Sequence, residues 1–129
     1  MAFGLMQMIQ EARASVKEVS VEDAHEGLRT GDVHMLIDVR EPFEWDKGHI
    51  SDAVNVPRGL LELRADPESP VTDPDLSENR DARVILYCTK APSARSMLAA
   101  QTLGRMGYSN VAALRGGLDE WKAAGLPAE

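Results

Sequence analysis

Residues 82–107 read ARVILYCTKAPSARSMLAAQTLGRMG, and the rest of the chain can be placed around them. The first seven residues are an almost unbroken apolar run with valine, isoleucine and tyrosine, the pattern of a strand buried on both faces. Helical spacing takes over a few residues later: Ser96, Ala99, Leu103 and Met106 fall on one side, and Gly107 is a stop. Between the two lies Cys88, the only cysteine of the chain. A short loop with Lys90, Pro92 and Ser93 follows it, and Arg95 opens the helix. A strand handing over to a helix in this way is half of a βαβ unit.

The same alternation runs in both directions. HMLIDV at 34–39 is a second apolar run, AVNVP at 53–57 a third that ends on Pro57, and VAAL at 111–114 a fourth, made of small residues. Between them the spacing predicts helices. Ser20 and Asp23 cap one that runs through Thr30 and stops at Gly31. A turn with a short helix covers EPFEWDKGH at 41–49, a short helix covers 59–64, and a final helix follows Gly116 and Gly117. Residues 66–81 hold three prolines and read as an irregular surface connection. Leu5, Met8, Ile9, Ala12 and Val16 predict an amphipathic helix over 1–16, ahead of one domain at 17–129. Continuous rather than alternating apolar strands predict an α/β fold, a mostly parallel sheet with helices on both faces. In such sheets ligands bind beyond the carboxyl ends of the strands, where Cys88 is expected.

Composition narrows the function. At 129 residues one domain is expected. No apolar run approaches a membrane span, the first sixteen residues lack a basic leader, and position 2 is alanine, so a cytoplasmic protein is expected. One cysteine makes no internal disulfide, and His25, His34 and His49 lack metal-ligand spacing, so no metal is expected. A net charge of −7 argues against nucleic acid and anionic membranes as partners. The charge is unevenly spread: residues 82–118 contain Arg83, Lys90, Arg95, Arg105 and Arg115 and no carboxylate at all. That segment predicts a positive field for a thiolate or an incoming anion.

A free thiol titrates near 8.5 as a rule, and its thiolate is the nucleophile. A helix N-terminus with unpaired N–H groups, the cations Lys90 and Arg95, and a loop able to turn its amides inward all favour the charged form. Asp38 and Arg40 end the HMLIDV strand and belong on the same rim, as an ion-pair brace or as groups that meet the substrate. Glu44 reads as a helix-capping carboxylate, His49 as a turn-fixing imidazole, and Trp45 and Trp121 as aromatics of the core or its edge.

Three blocks in order resemble the rhodanese-like domain, the sulfurtransferase fold. DVREPFEWDKGHISDAVNVP at 38–57 is similar to the family's first motif. VILYC at 84–88 is similar to the strand that delivers the active cysteine. RSMLAAQTLGRMGYSNVAALRGGLDEWKAAGLP at 95–127 is similar to its closing helix, strand and helix. The resemblance implies a three-layer fold and a double displacement. Cys88 would take a sulfur from a small anionic donor such as thiosulfate, hold it as a persulfide, and pass it to a thiol, cyanide or protein acceptor. Arg95 and Lys90 would serve as catalytic cations, and the resemblance implies that no metal or organic cofactor is needed. The loop amides, with Thr89, Ala91, Ser93, Ala94 and Ser96 as the substrate-binding residues, would cradle the sulfur and the departing oxyanion, with Arg40 and Asp38 at the rim. The protein would work as a monomer or homodimer.

One departure stands out. The family commonly has four residues between cysteine and arginine, often with a glycine, where this chain has six and no glycine. Positive backbone angles are therefore expected to be costly in the loop, and Pro92 removes one donor. Two alternatives follow: a binding module with weak or no catalysis, or a phosphatase or arsenate reductase of the same fold.

Overall fold

The computed structural model describes residues 2–129. Five strands form one sheet: β1 (Lys17–Val19), β2 (Met35–Asp38), β3 (Val54–Asn55), β4 (Val84–Tyr87) and β5 (Val111–Leu114). Their order is β1-β5-β4-β2-β3, and every pair is parallel. The most apolar run of the sequence, β4, takes the centre, with all four residues buried.

The pleat of β4 divides the core in two. Val84, Leu86 and Cys88 face Ile9 and Ala12 of α1 (Leu5–Arg13) and Met97, Ala100 and Leu103 of α6 (Ala94–Arg105). Ile85 and Tyr87 face Val21 and Ala24 of α2 (Val21–Thr30) and Leu118 and Trp121 of α7 (Gly117–Ala123). Helices therefore cover both faces of a parallel sheet, as the unbroken apolar strands require. Each large side chain sealed in this way stabilises the fold by about 1.5–3 kcal/mol. Three short helices, α3 (Pro42–Asp46), α4 (Leu61–Ala65) and α5 (Pro74–Ser77), fill the connections on either side of β3.

Local signals set the boundaries. Ser20 Oγ accepts from Asp23 N at 3.1 Å, and Gly31 closes α2 at φ 84°. The N-terminal helix stops at Arg13, short of residue 16, and Val16 enters the core instead. Residues 17–19 carried no strand pattern, yet they pair with β5 along its length. The partner strand imposes extended backbone on Lys-Glu-Val, which local sequence does not. The proline-rich stretch at 66–81 contains α5, started by Asp73 accepting from Asp75 N and by Pro74 at the first helical position.

After β2 the chain moves outward to β3. After β4 it moves the opposite way, to β5. The winding thus reverses between β2 and β4, the place where open α/β sheets put their ligands. Cys88 follows directly on the carboxyl end of β4. No helix is long and apolar enough to cross a membrane among the described residues.

Candidate active site

The site is a loop pinned at both ends. At its start, Cys88 O accepts from Leu118 N at 3.0 Å and Thr89 O accepts from Asp119 N at 2.9 Å. The first turn of α7 therefore fixes the chain as it leaves β4. Gly117 makes this approach possible: a Cβ there would lie 2.5 Å from Cys88 O and 2.8 Å from the Thr89 carbonyl carbon. Further on, Ser93 N donates to Lys90 O at 2.9 Å and closes a tight turn that contains a cis bond between Ala91 and Pro92.

Ser93 caps α6, with Met97 N donating to its carbonyl at 2.8 Å. It adopts φ 62° and ψ 38°, so a left-handed residue is present although the loop has no glycine. Serine, whose short polar side chain is tolerated at a cap, carries that geometry. The helix begins at Ala94, which puts Arg95 inside its first turn. The extra spacing between cysteine and arginine thus lies partly in the helix, and the loop proper is Cys88–Ser93.

The amides of Ala94, Arg95 and Ser96 have no intrahelical partner, as expected for a first turn. Those of Thr89, Lys90 and Ala91 also donate to no protein acceptor among the described residues. Cys88 is 3% exposed. Its Sγ lies 3.5 Å from Ser96 Oγ, and the Ser96 hydroxyl also reaches Ser93 O at 3.2 Å. The Ser93 hydroxyl is buried with no partner among the described residues. A buried, unpartnered hydroxyl is costly unless something else bonds it, and this one belongs to the same loop as the sulfur.

The cations are arranged differently from the sequence expectation. Arg95 lays its guanidinium on Glu44, with Nη1 to Oε1 at 2.7 Å and Nη2 to Oε2 at 3.1 Å, and Nη2 also donates to Thr89 Oγ1 at 3.1 Å. Its hydrogen bond from Arg95 is the main reason that the Glu44 carboxyl is held below the ordinary carboxylate range. The same bond raises Arg95. Glu44 also accepts from Glu41 N at 3.0 Å, so it is the capping carboxylate that was expected and the anchor of Arg95 besides. Lys90 is exposed and forms no ion pair among the described residues. Arg83, Arg105 and Arg115 lie outside the loop and line a groove between β1, β5 and α6.

Asp38 and Arg40 are brought to the rim, but they face each other. Arg40 Nη2 donates to Asp38 Oδ2 at 2.8 Å and to Gly48 O at 2.7 Å, and both residues are buried. Asn55 Nδ2 clips the carbonyls of Asp38 and Arg40 at 3.0 Å each. Tyr87 Oη accepts from Ile50 N, and burial, followed by the nearby Asp38 carboxylate, pushes its hydroxyl well up. The His49 ring stacks on Trp45 at 3.5 Å and meets Trp45 O and Glu129, fixing the turn after α3. Thr89 and Ser96 are thus tied to the loop's polar network, Ser93 is its orphan, and Ala91 and Ala94 contribute backbone only. Sequence reasoning missed the Glu44–Arg95 pair. The available signal was a carboxylate in the loop after the neighbouring parallel strand, opposite an acid-free segment. No group of three or more potential metal ligands occurs among the described residues.

The family model for the rhodanese-like domain matches residues 20–124. A sulfurtransferase of Allochromatium vinosum is 33% identical over 112 residues, which cover 87% of this chain and 94% of that protein. The chloroplastic thiosulfate sulfurtransferase 16 of Arabidopsis thaliana is 32% identical over 123 residues, covering 93% and 98%. Among solved structures, a Rhodopseudomonas palustris protein of unknown function, named "Possible Tyrosine Phosphatase", superposes with a TM-score of 0.90 at 34% identity, over 100% of this chain and 96% of that one.

Proposed function

We propose that this chain, which belongs to the rhodanese-like domain family, is a sulfurtransferase that carries a sulfane sulfur as a persulfide on Cys88. The observation that carries the reading is a lone buried thiol 3.5 Å from a serine hydroxyl, in a strand-to-helix loop whose Thr89, Lys90 and Ala91 amides have no acceptor among the described residues. Relatives named as sulfurtransferases support the same chemistry.

In the first step the Cys88 thiolate attacks the outer sulfur of a thiosulfate-like donor. A bond forms between Sγ and that sulfur, the bond between the donor's two sulfurs breaks, and its electron pair leaves on sulfite. In the second step an acceptor thiolate or cyanide attacks the outer sulfur, and the Cys88 thiolate leaves with the electron pair of the broken S–S bond. While Cys88 is protonated, S–H donates to Ser96 Oγ and Ser96 donates to Ser93 O. When the proton departs, the Ser96 hydroxyl turns to Sγ. The free amides of the loop and of the first turn of α6 receive the negative charge of the persulfide and of the leaving oxyanion. The orphaned Ser93 hydroxyl supplies one more donor. Lys90 draws in the anionic donor, Arg95 closes the loop through Thr89 and Glu44, and the Asp38–Arg40 pair braces the rim.

The donor is a small anion, and the acceptor is a thiol or a protein that presents one. A reducing, cytoplasmic setting suits a single unpaired thiol. The test is incubation with thiosulfate and cyanide, following thiocyanate, together with intact mass. The expected result is thiocyanate release and one added sulfur atom on Cys88, both lost in Cys88→Ser. A protein that neither gains sulfur nor turns over would sink the reading and leave a binding module. Of the alternatives, a phosphatase of the same fold is favoured by the name of the Rhodopseudomonas neighbour. Against it, both terminal nitrogens of Arg95 lie on Glu44, where an oxyanion would need them. Turnover of an aryl phosphate without a sulfur adduct would decide for the phosphatase.

A further inference from the structure

The acid-free segment at 82–118 supplies only two of its five cations to the Cys88 loop. The other three, Arg83, Arg105 and Arg115, line one groove with Lys17. The groove has a volume of about 760 Å³, within the usual size of ligand sites. It runs beside β1 and β5 under the second half of α6. Arg83, Arg105 and Lys17 belong to its lower end, where β1, β4 and β5 start. Arg115 belongs to the upper end, just after β5. The four residues of β5 separate the two ends by about 13 Å, at roughly 3.3 Å per residue.

These charges are not explained by internal pairing. Lys17, Arg105 and Arg115 form no ion pair among the described residues, and all three are exposed. Arg83 leans on Asn110 Oδ1 at 3.1 Å and lies 3.9 Å from Asp32. Two carboxylates share the lining, Glu18 and Asp23. Glu18 faces Arg13 at 3.9 Å, and Asp23 sits in the first turn of α2, beside a helix N-terminus that favours its charge. Clustering cations without partners is unfavourable by self-repulsion, and in a chain of net charge −7 it has an obvious counterpart only in an anionic ligand. Around the cations stand neutral hydrogen-bonding groups, Gln101, Ser109 and Asn110 among them.

We propose that this groove is a second binding site, separate from the Cys88 loop, for an elongated small-molecule polyanion of the organic polyphosphate class. One anionic group meets Lys17 and Arg105 at the lower end, and another meets Arg115 at the upper end. The proposal does not depend on the sulfur-transfer reading, because none of its cations belongs to that loop.

The test uses inorganic triphosphate as the probe, titrated into the isotope-labelled full chain at low ionic strength and followed by amide NMR. The expected result is saturable shifts at Lys17, Arg105, Ser109 and Asn110 with a Kd below about 1 mM, weakening as salt rises. Lys17→Gln and Arg105→Gln should each weaken binding roughly ten-fold, the loss of about one charge-assisted contact. Both residues are exposed and unpaired, so the variants should fold, and their unchanged spectra outside the groove verify it. Cys88→Ser should bind as the wild type does. Shifts confined to residues 89–96, no saturation, or unchanged affinity in the double variant would overturn the proposal. So would a hexaglutamate peptide that binds the groove more tightly than triphosphate, since the ligand would then be an acidic protein segment.

Discussion

Replacing Gly117 by alanine tests whether the Cys88 loop is shaped by the turn beneath it. Two separate penalties apply. Gly117 has φ 57°, a left-handed angle that costs an L side chain about 1–2 kcal/mol. The new Cβ would also meet Cys88 O at 2.5 Å and the Thr89 carbonyl carbon at 2.8 Å, both backbone atoms that cannot swing aside. Forcing such an overlap costs typically about 1–3 kcal/mol more. The sum, roughly 2–5 kcal/mol, is a large part of the stability of an ordinary domain. Gly125→Ala is the control: it has φ 73° with nothing within 4 Å of the added carbon, so only the first penalty applies. Urea unfolding of both variants measures the difference. Gly117→Ala should lose stability by about 1–3 kcal/mol beyond Gly125→Ala, and under conditions where it remains folded it should load sulfur more slowly. Equal losses for the two variants would refute the close approach, and normal sulfur loading in Gly117→Ala would refute its role in shaping the loop.

Glu44→Gln should lower stability by at most about 1 kcal/mol, since the Arg95 side chain it binds is 41% exposed and solvent screens the pair. Because Arg95 depresses the Glu44 carboxyl, this stabilisation is complete above its unfolded value of 4.5 and is lost as pH falls through the lower folded value. The gap between wild type and variant in urea midpoint should therefore be full at neutral pH and close in acid; a gap that widens in acid would contradict the pairing. Ser96→Ala removes the hydroxyl 3.5 Å from Sγ, and alkylation of Cys88 at neutral pH should slow about ten-fold for a charged hydrogen bond of roughly 1.5 kcal/mol; an unchanged rate would show that the hydroxyl does not serve the thiolate. Asp38→Ala leaves the Arg40 guanidinium buried without its carboxylate and should cost about 3–5 kcal/mol in urea unfolding, and a loss under about 1 kcal/mol would show that the pair does not brace the rim.

The inner strands were read from side chains apolar on both faces, and the edge strand β3 from the valines and alanine around Asn55. β4 declares itself through Val84 to Tyr87 because both sides of it are core. β1 could not be read in this way: Lys17 and Glu18 are extended because β5 lies alongside, and no local property of the three residues says so. The cysteine's position at the strand's carboxyl end was legible from the switch in periodicity at residues 88–94. The shape of its loop was only partly legible. Counting residues between Cys88 and Arg95 treats all of them as loop, whereas the helix begins at Ala94 and takes Arg95 into its first turn. The absence of glycine was a fair warning about backbone angles, but Ser93 accepts the left-handed one. The least legible part was the use of charge. A linear run of cations suggested one field, and folding sends Arg95 to Glu44 and three others to a separate groove, because Arg83 and Arg105 fall at the starting ends of the strands and Arg115 follows β5 rather than β4.

The two hydrogen bonds from Leu118 and Asp119 to the carbonyls of Cys88 and Thr89 join residues some thirty positions apart. On a ribosome Cys88 therefore emerges well before the amides that hold its loop. The first strand waits as well, since its partner among the described residues spans Val111–Leu114. A nascent chain passes through a stage in which the thiol has been made but its setting has not. The loop is held only once α7 has formed, so a product ended ahead of it carries the cysteine without the turn that shapes its surroundings.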